Sequence, residues 1–409
     1  MSHLLEWSRA YTHRLNPVDA APFAARAPEL AQRLAEETAK GLLHGARAMQ
    51  QAFAPGQDGP GHPGPWLWIA DNVCAERFEA LLHSLRPEET VVVCVSKSGG
   101  TIETVSQYLL VRDWLKSALG AAWKDQMILV TDARKGYLRQ EVQKYGLASL
   151  EVPDYLGGRY SALSAVGLLP AAFLGIDWQG LLDGAAAVAA PLLEKPADLA
   201  AHPSFALACW AKALEDAGYD QLIFFCYIPQ WAAYGDWFAQ LWAESLGKDG
   251  QGSQPVPATG VTDQHSINQM FLSGPRNKAC LFLTCQDQAQ GRSFGMDVPE
   301  QWAWLRAKPF GSLLEAEGLG TRMALCQSGV PLVHVDMHDA SPRAAGSLML
   351  LLEAATLLTG WLMGVNPLDQ PAVELGKRLA NARLGAPGYP EEEADLAACL
   401  AAPRQEQPF

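Results

Sequence analysis

A chain of 409 residues is longer than one hydrophobic core normally supports, so at least two domains are expected. Hydrophobic residues at 49% and charged residues at 18% fit a well-packed globular protein and exclude a disordered one. A formal net charge of −13 argues against nucleic acid or an anionic membrane as the main partner. A small anionic substrate stays open, because local donors override the overall field.

The N-terminal MSHLLEWSRAYTHRL lacks the apolar core of a signal peptide, and no apolar run reaches the ~18 residues of a membrane span. Residues 2–53 read as helices, punctuated by Pro17 and Pro22, with alanine-rich helical patterning from about Pro28. Residues 54–65 (APGQDGPGHPGP) must form a loop. Strand signals follow at 66–70, 90–95, 127–131 and 148–152, separated by helical segments. This is the βαβ rhythm of a parallel sheet covered on both faces. Residues 181–203 are alanine-rich and helical in pattern, and a second α/β unit follows with strand candidates at 221–228, 279–283 and 331–335. Segment 230–246 suits a helix, in which Trp231, Trp237 and Trp242 read as core. The expected organisation is N-terminal helices (1–53), a first α/β domain (54–200), a second (201–365) and a C-terminal helical tail (366–409).

The eight cysteines are scattered, mostly within apolar runs, and show neither CxxC nor Cys/His metal spacing, so they read as reduced thiols of a cytosolic protein.

The segment 96–104, Ser-Lys-Ser-Gly-Gly-Thr-Ile-Glu-Thr, lies between a buried-strand signal and a helical pattern. Free N–H groups and the dipole at a helix start favour an anion. Ser96, Ser98, Thr101 and Thr104 add hydroxyls, and Gly99 and Gly100 let the backbone bend. A simple capped helix needs fewer hydroxyls than this, so the segment reads as a phosphate site built from neutral donors.

Four further segments carry potential chemistry. Glu244 shares one helical face with Trp237 and Leu241, where partial desolvation would raise its pKa and suit it to act as a base; the plainer alternative is a carboxylate turned to solvent at a helix end. His265 lies in the polar turn Asp263-Gln264-His265-Ser266, after a loop at 251–260. Arg159, in Gly157-Gly158-Arg159-Tyr160-Ser161, follows a strand at the end where open α/β sheets bind ligands, and Ser161 is placed to cap the next helix. In the segment 369–377, Asp369 suits an N-cap, Glu374 and Arg378 an i,i+4 pair, and Lys377 an inward direction.

Taken together and in this order, the runs SKSGGTIET, GGRYSALSAVG, AESLGKDGQG, TDQHSINQMFLSGPRNK and DQPAVELGK resemble one family, glucose-6-phosphate isomerase, in its short bacterial-type form, over about residues 66–383. The resemblance implies two sugar-isomerase (SIS) domains of flavodoxin-like, three-layer αβα architecture with parallel sheets, plus the helical tail. It implies a cytoplasmic enzyme of glycolysis and gluconeogenesis that interconverts D-glucose 6-phosphate and D-fructose 6-phosphate through ring opening and a cis-enediolate, with no cofactor or metal. Ser96, Ser98, Thr101 and Thr104 would hold the phosphate, with Lys97 contributing through its backbone and Gln370 contacting the substrate. Glu244 would move the proton between C1 and C2, Arg159 would stabilise the enediolate, and His265 with Lys377 would open the ring. A homodimer with shared sites is implied, the histidine coming from the partner subunit.

The chain departs from this pattern at 66–73, Trp-Leu-Trp-Ile-Ala-Asp-Asn-Val, where the family carries Gly-Ile-Gly-Gly-Ser, so Asp71 brings a negative charge to that turn. Two other functions are compatible with the motifs. One is an isomerase that also accepts mannose 6-phosphate. The other is a non-catalytic SIS sugar-phosphate sensor, for which a base and a ring opener would be superfluous.

Overall fold

The computed structural model describes residues 4–7, 44–59, 62–153 and 157–402. The helical patterning expected around Pro17, Pro22 and Pro28 lies outside them. Within the N-terminal stretch read as helical, Leu4–Trp7 form instead a strand, β1, antiparallel to the strand Leu332–Met337, with Leu4 opposite Asp336 and Trp7 opposite Val333. Four residues are too few to display an alternating pattern, and β1 exists because a sheet edge offers it hydrogen bonds. Helix His44–Phe53 agrees with the expectation.

Strands β2 (Val92–Ser96), β3 (Met127–Thr131) and β4 (Ala148–Glu151) form a parallel sheet in the order β2-β3-β4. Cys94, Met127 and Leu129 pack on one face against Tyr108, Leu115 and Trp123, while Val95 and Val130 pack on the other with Val152 and Val166. Burial on both faces explains why β2 and β3 read as continuous apolar runs, while β4, at the edge, is mostly exposed. The strand expected at 66–70 is absent. There the N–H of Leu67 donates to Gln57 O at 2.8 Å and its carbonyl accepts from Gln50 Nε2 at 2.6 Å, so the apolar run is tied to the preceding loop rather than to β2.

The second sheet contains β5 (Gln221–Cys226), β6 (Gln254–Thr259), β7 (Lys278–Cys285) and β8 (Leu332–Met337), in the order β1-β8-β7-β5-β6. All its pairings except that of β1 are parallel. β6 falls in the segment read as a loop. It carries Pro255 and Pro257, which a central strand rejects for want of N–H groups but an edge position tolerates. Helix Ala233–Leu246 follows β5 through a 3-10 turn, Pro229–Trp231, and Trp231, Trp237 and Trp242 are core as expected.

Both sheets belong to one compact unit, Met1–Pro367. Helix Trp178–Glu194, assigned by sequence to the first domain, packs closely on helix Pro342–Met363. A Cβ on Gly184 would lie 1.8 Å from Arg343 O, one on Gly346 would lie 1.9 Å from Leu181 O, and Ser347 Oγ donates to Gly184 O at 2.9 Å. Helix Pro342–Met363 has the length and composition to cross a membrane, but its most apolar window is 94% buried in the protein. The second unit, Leu368–Phe409, contains helices Ala372–Arg383 and Pro390–Ala401. They are joined by an ion pair between Arg378 and Glu392 and by a bond from Asn381 Nδ2 to Tyr389 OH at 3.2 Å.

Candidate active site

The hydroxyl-rich segment leaves the C-terminal end of β2. Ser96 is buried, and its Oγ lies 2.9 Å from Thr101 Oγ1. Ser98 Oγ lies 3.5 Å from the same atom and accepts from Gly100 N–H at 3.3 Å. Thr101 precedes helix Ile102–Leu119 without making a side-chain cap, so the first-turn N–H groups of a long helix open toward this cluster. Thr104 turns back instead: its Oγ1 lies 3.5 Å from Val95 O.

The loop after β3 locks this turn in place. Gly99 has φ +64° and Gly136 φ +94°, and a Cβ on Gly136 would stand 2.1 Å from Ser98 O. Asp132 N–H donates to Lys97 O, and Leu138 N–H to Gly99 O, each at 3.0 Å. The same loop carries the exposed Arg134 and Lys135, whose backbone N–H groups donate to Asp132 Oδ1 at 2.8 and 3.0 Å. Lys135 Nζ lies 3.9 Å from Asp132 Oδ2.

Glu244 sits in the last turn of its helix. Trp237 and Leu241, on the same face, are fully buried, while Glu244 is half-buried. Its Oε1 accepts from Gln240 Nε2 at 3.0 Å and its Oε2 from Arg159 Nη1 at 3.2 Å. Arg159 is only 1% exposed. Its Nε donates to Ser245 Oγ at 2.7 Å and its Nη2 to Pro367 O at 2.5 Å. Tyr160 OH lies 3.0 Å from Ser245 Oγ, and burial raises its phenol pKa. Ser245 and Tyr160 therefore hold the arginine, a role that only their adjacency to Glu244 and Arg159 hinted at. Lys248 Nζ caps the helix end through Glu244 O at 3.0 Å and Ser245 O at 2.7 Å. The next helix of the first domain, Ala165–Phe173, is capped by Ser164 rather than Ser161, whose hydroxyl donates to Gly158 O at 3.3 Å. Asp71 forms an ion pair with Arg47 at 2.5 Å, which offsets its charge.

His265 ends the 3-10 turn Thr262–His265 beyond β6. Asp263 Oδ2 fixes this turn by accepting from Thr259 N–H at 2.7 Å, and Gln264 Nε2 fixes it by donating to Thr321 Oγ1 at 2.5 Å and Glu317 Oε2 at 3.2 Å. The imidazole is exposed. It stands at the C-terminal end of the second sheet, whereas the residues flanking Glu244, Ala243 and Gly247, share a cavity with Gln221 and Gln254, the first residues of β5 and β6. A six-residue strand spans about 20 Å, so the two lie toward opposite ends of this sheet.

Gln370 and Lys377 belong to the second unit. Lys377 is exposed rather than inward, with Nζ 2.7 Å from Glu374 Oε1, because Glu374 one turn back takes it as a partner. Arg378, expected to pair with Glu374, is drawn to Glu392. The helix starts at Ala372 with Pro371 in the capping position, so Asp369 is not its cap.

Three comparisons bear on this arrangement. The model of the phosphoglucose isomerase family matches residues 42–294. The glucose-6-phosphate isomerase of Rubrobacter xylanophilus is 38% identical over 334 residues, 81% of this chain and 77% of that relative. Among solved structures, a hypothetical protein from Thermus thermophilus is 31% identical with a TM-score of 0.76, covering 92% of this chain and 93% of that one. A glucose-6-phosphate isomerase from Chlamydia trachomatis shares the fold at 22% identity and a TM-score of 0.72, covering 93% and 76%.

Proposed function

The chain belongs to the phosphoglucose isomerase family, and from that premise we propose that it interconverts D-glucose 6-phosphate and D-fructose 6-phosphate. The observation that carries this is the contact between Arg159 and Glu244, a carboxylate with a permanent cation beside it. An aldose and its ketose share one enediolate. The reaction therefore needs a base that removes the C2 proton and returns it at C1, and positive charge where the enediolate oxygen develops. Glu244 is that base and Arg159 supplies the charge. Ser96, Ser98 and Thr101, with the helix N–H groups, hold the 6-phosphate. Lys97 contributes there through its backbone, and Thr104 lies at the edge of the cradle. This use of neutral donors and a helix start is sound chemistry for a dianion.

The assembly is a homodimer with shared sites. His265 is exposed and far from the Glu244 of its own chain, which supports a role for the partner subunit's His265 in opening the sugar ring. Lys377 assists that step and Gln370 contacts the sugar. The enzyme works in glycolysis and gluconeogenesis, and its free cysteines fit a cytoplasmic location.

A coupled assay offering glucose 6-phosphate and mannose 6-phosphate side by side tests the assignment. Turnover of glucose 6-phosphate is expected. A folded protein that turns over neither substrate overturns it.

A further inference from the structure

Just beyond helix Pro342–Met363, two consecutive backbone carbonyls receive two cations. Pro367 O accepts from Arg159 Nη2 at 2.5 Å, and Asn366 O accepts from Lys248 Nζ at 2.6 Å. The same ammonium donates to Glu244 O at 3.0 Å and to Ser245 O at 2.7 Å, so its three donors meet three carbonyls. Lys248 thereby ties the helix end that carries Glu244 to the segment 366–367. Arg159 rests on that segment one residue further on.

Both sides of this tie are stiff. The proline ring fixes φ at 367, which limits how the two carbonyls can turn relative to each other. A Cβ on Gly360 would lie 2.8 Å from Pro367 Cβ and 3.2 Å from Leu246 Cδ2, so the bare glycine lets the proline nest between its own helix and the end of Glu244's helix. The root of Lys248 is held as well. Gln251 N–H donates to Lys248 O at 2.8 Å across a turn whose central residues, Asp249 and Gly250, have φ of +53° and +74°.

We propose that Lys248 is a positioning residue for the isomerisation. By pinning Asn366–Pro367 to the end of Glu244's helix, it sets the carbonyl on which Arg159 rests, and with it the placement of the cation against the carboxylate. The guanidinium is a rigid planar fork and is 1% exposed, so moving one of its anchors turns the whole plane. Ser245 anchors it from the helix. Pro367 O anchors it from across the tie, and without the ammonium that carbonyl loses its link to the helix. The three donors of Lys248 meet backbone carbonyls, so its effect belongs in kcat and not in ground-state binding of the sugar phosphate.

The proposal rests on the reading of Glu244 as the base, and the experiment keeps the two apart. Steady-state turnover of glucose 6-phosphate is measured on the full chain as wild type, Lys248→Met, Gly360→Ala, the double variant and Glu244→Gln, with folding checked by near-ultraviolet circular dichroism. Lys248→Met keeps the aliphatic stem and removes the donors. Its kcat is expected to fall about 10- to 100-fold, the cost of a misplaced reacting group, with KM changed by less than about twofold. Gly360→Ala presses on Pro367 from the other side and is expected to reproduce that loss with Lys248 intact. The double variant is expected to lose little more than either single one, because both act through one segment. A folded Lys248→Met enzyme with unchanged kcat, or with its loss confined to KM, overturns the proposal, and so does a double variant whose losses simply multiply. If Lys248→Met does not fold, Gly360→Ala decides alone, and an unchanged kcat there overturns the tie. An inactive Glu244→Gln beside a fully active Lys248→Met removes the positioning role and leaves the base. A fully active Glu244→Gln removes both.

Discussion

Arg159 Nη1 lies 3.2 Å from Glu244 Oε2, and the same arginine is anchored through Nε, at 2.7 Å, by the residue that follows Glu244 on its helix. Carboxylate and cation are thus fixed to one rigid turn, and displacing either moves the other. Ser245 lies at the centre of this coupling, because its Oγ also meets Tyr160 OH at 3.0 Å.

Ser245→Ala should therefore lower kcat by about 10- to 100-fold, the cost of a misplaced reacting group, while KM changes by less than about twofold because the phosphate cradle is untouched. Steady-state kinetics decide this. A raised KM with unchanged kcat would sink the positioning role.

Glu244→Gln removes the proposed base and leaves the shape. Isomerisation should fall by about 10²- to 10⁴-fold or more, proton exchange at C2 should vanish with it, and sugar-phosphate binding should persist. Exchange followed by NMR in deuterated water checks the first two and calorimetry the third. Full activity in this variant would dispose of the base assignment.

Thr101→Val replaces a hydroxyl in the proposed phosphate cluster with a methyl. One hydrogen bond to a charged group is worth about 1.5–3 kcal/mol, so KM should rise roughly 10- to 100-fold with kcat little changed, since the contact is made in ground and transition states alike. An unchanged KM would remove Thr101 from the site.

Glu353, in helix Pro342–Met363, is 1% exposed and its Oε1 has no hydrogen-bond partner. Burial holds its carboxyl well above the ordinary range. A carboxyl with a raised native pKa binds its proton more tightly when folded, so its contribution is intact below the unfolded value near 4.3 and is lost as pH rises through the raised native value. Glu353→Gln should accordingly change stability little at pH 4 and stabilise the protein by about 1–3 kcal/mol at pH 8. Thermal melts across that range test it. A stability gain that shrank with rising pH would reverse the sign and refute the account.

The sequence was most legible where a local rule is strong. β3 falls on the residues expected, 127–131, because an apolar run buried on both faces needs no context. The turn at 96–101 was legible as chemistry, since hydroxyls around glycines are unusual in themselves, whereas Arg159 and Glu244 stood out only through the resemblance and their contact, between residues far apart in the chain, was not legible. Elements decided by a distant partner were not legible. β1 is a strand only because β8 has a free edge, β6 is a strand despite two prolines because it lies at the other edge, and 66–70 is not a strand although it is apolar. Direction was also lost at Lys377, whose spacing suggested an inward face, because Glu392 draws Arg378 away and leaves Glu374 to the lysine.

Gly99 and Gly136 touch where any side chain would drive the two loops apart. The cup proposed to receive the phosphate is consequently set in shape before a ligand arrives, and little binding energy goes into ordering it. A rigid cup of hydroxyl and amide donors measures the size and charge of a tetrahedral oxyanion and is blind to the stereochemistry at C2, four carbons away. Selection among hexose phosphates then falls to the other end of the ligand, around Glu244, and variants that alter sugar preference should arise there and not in the cup.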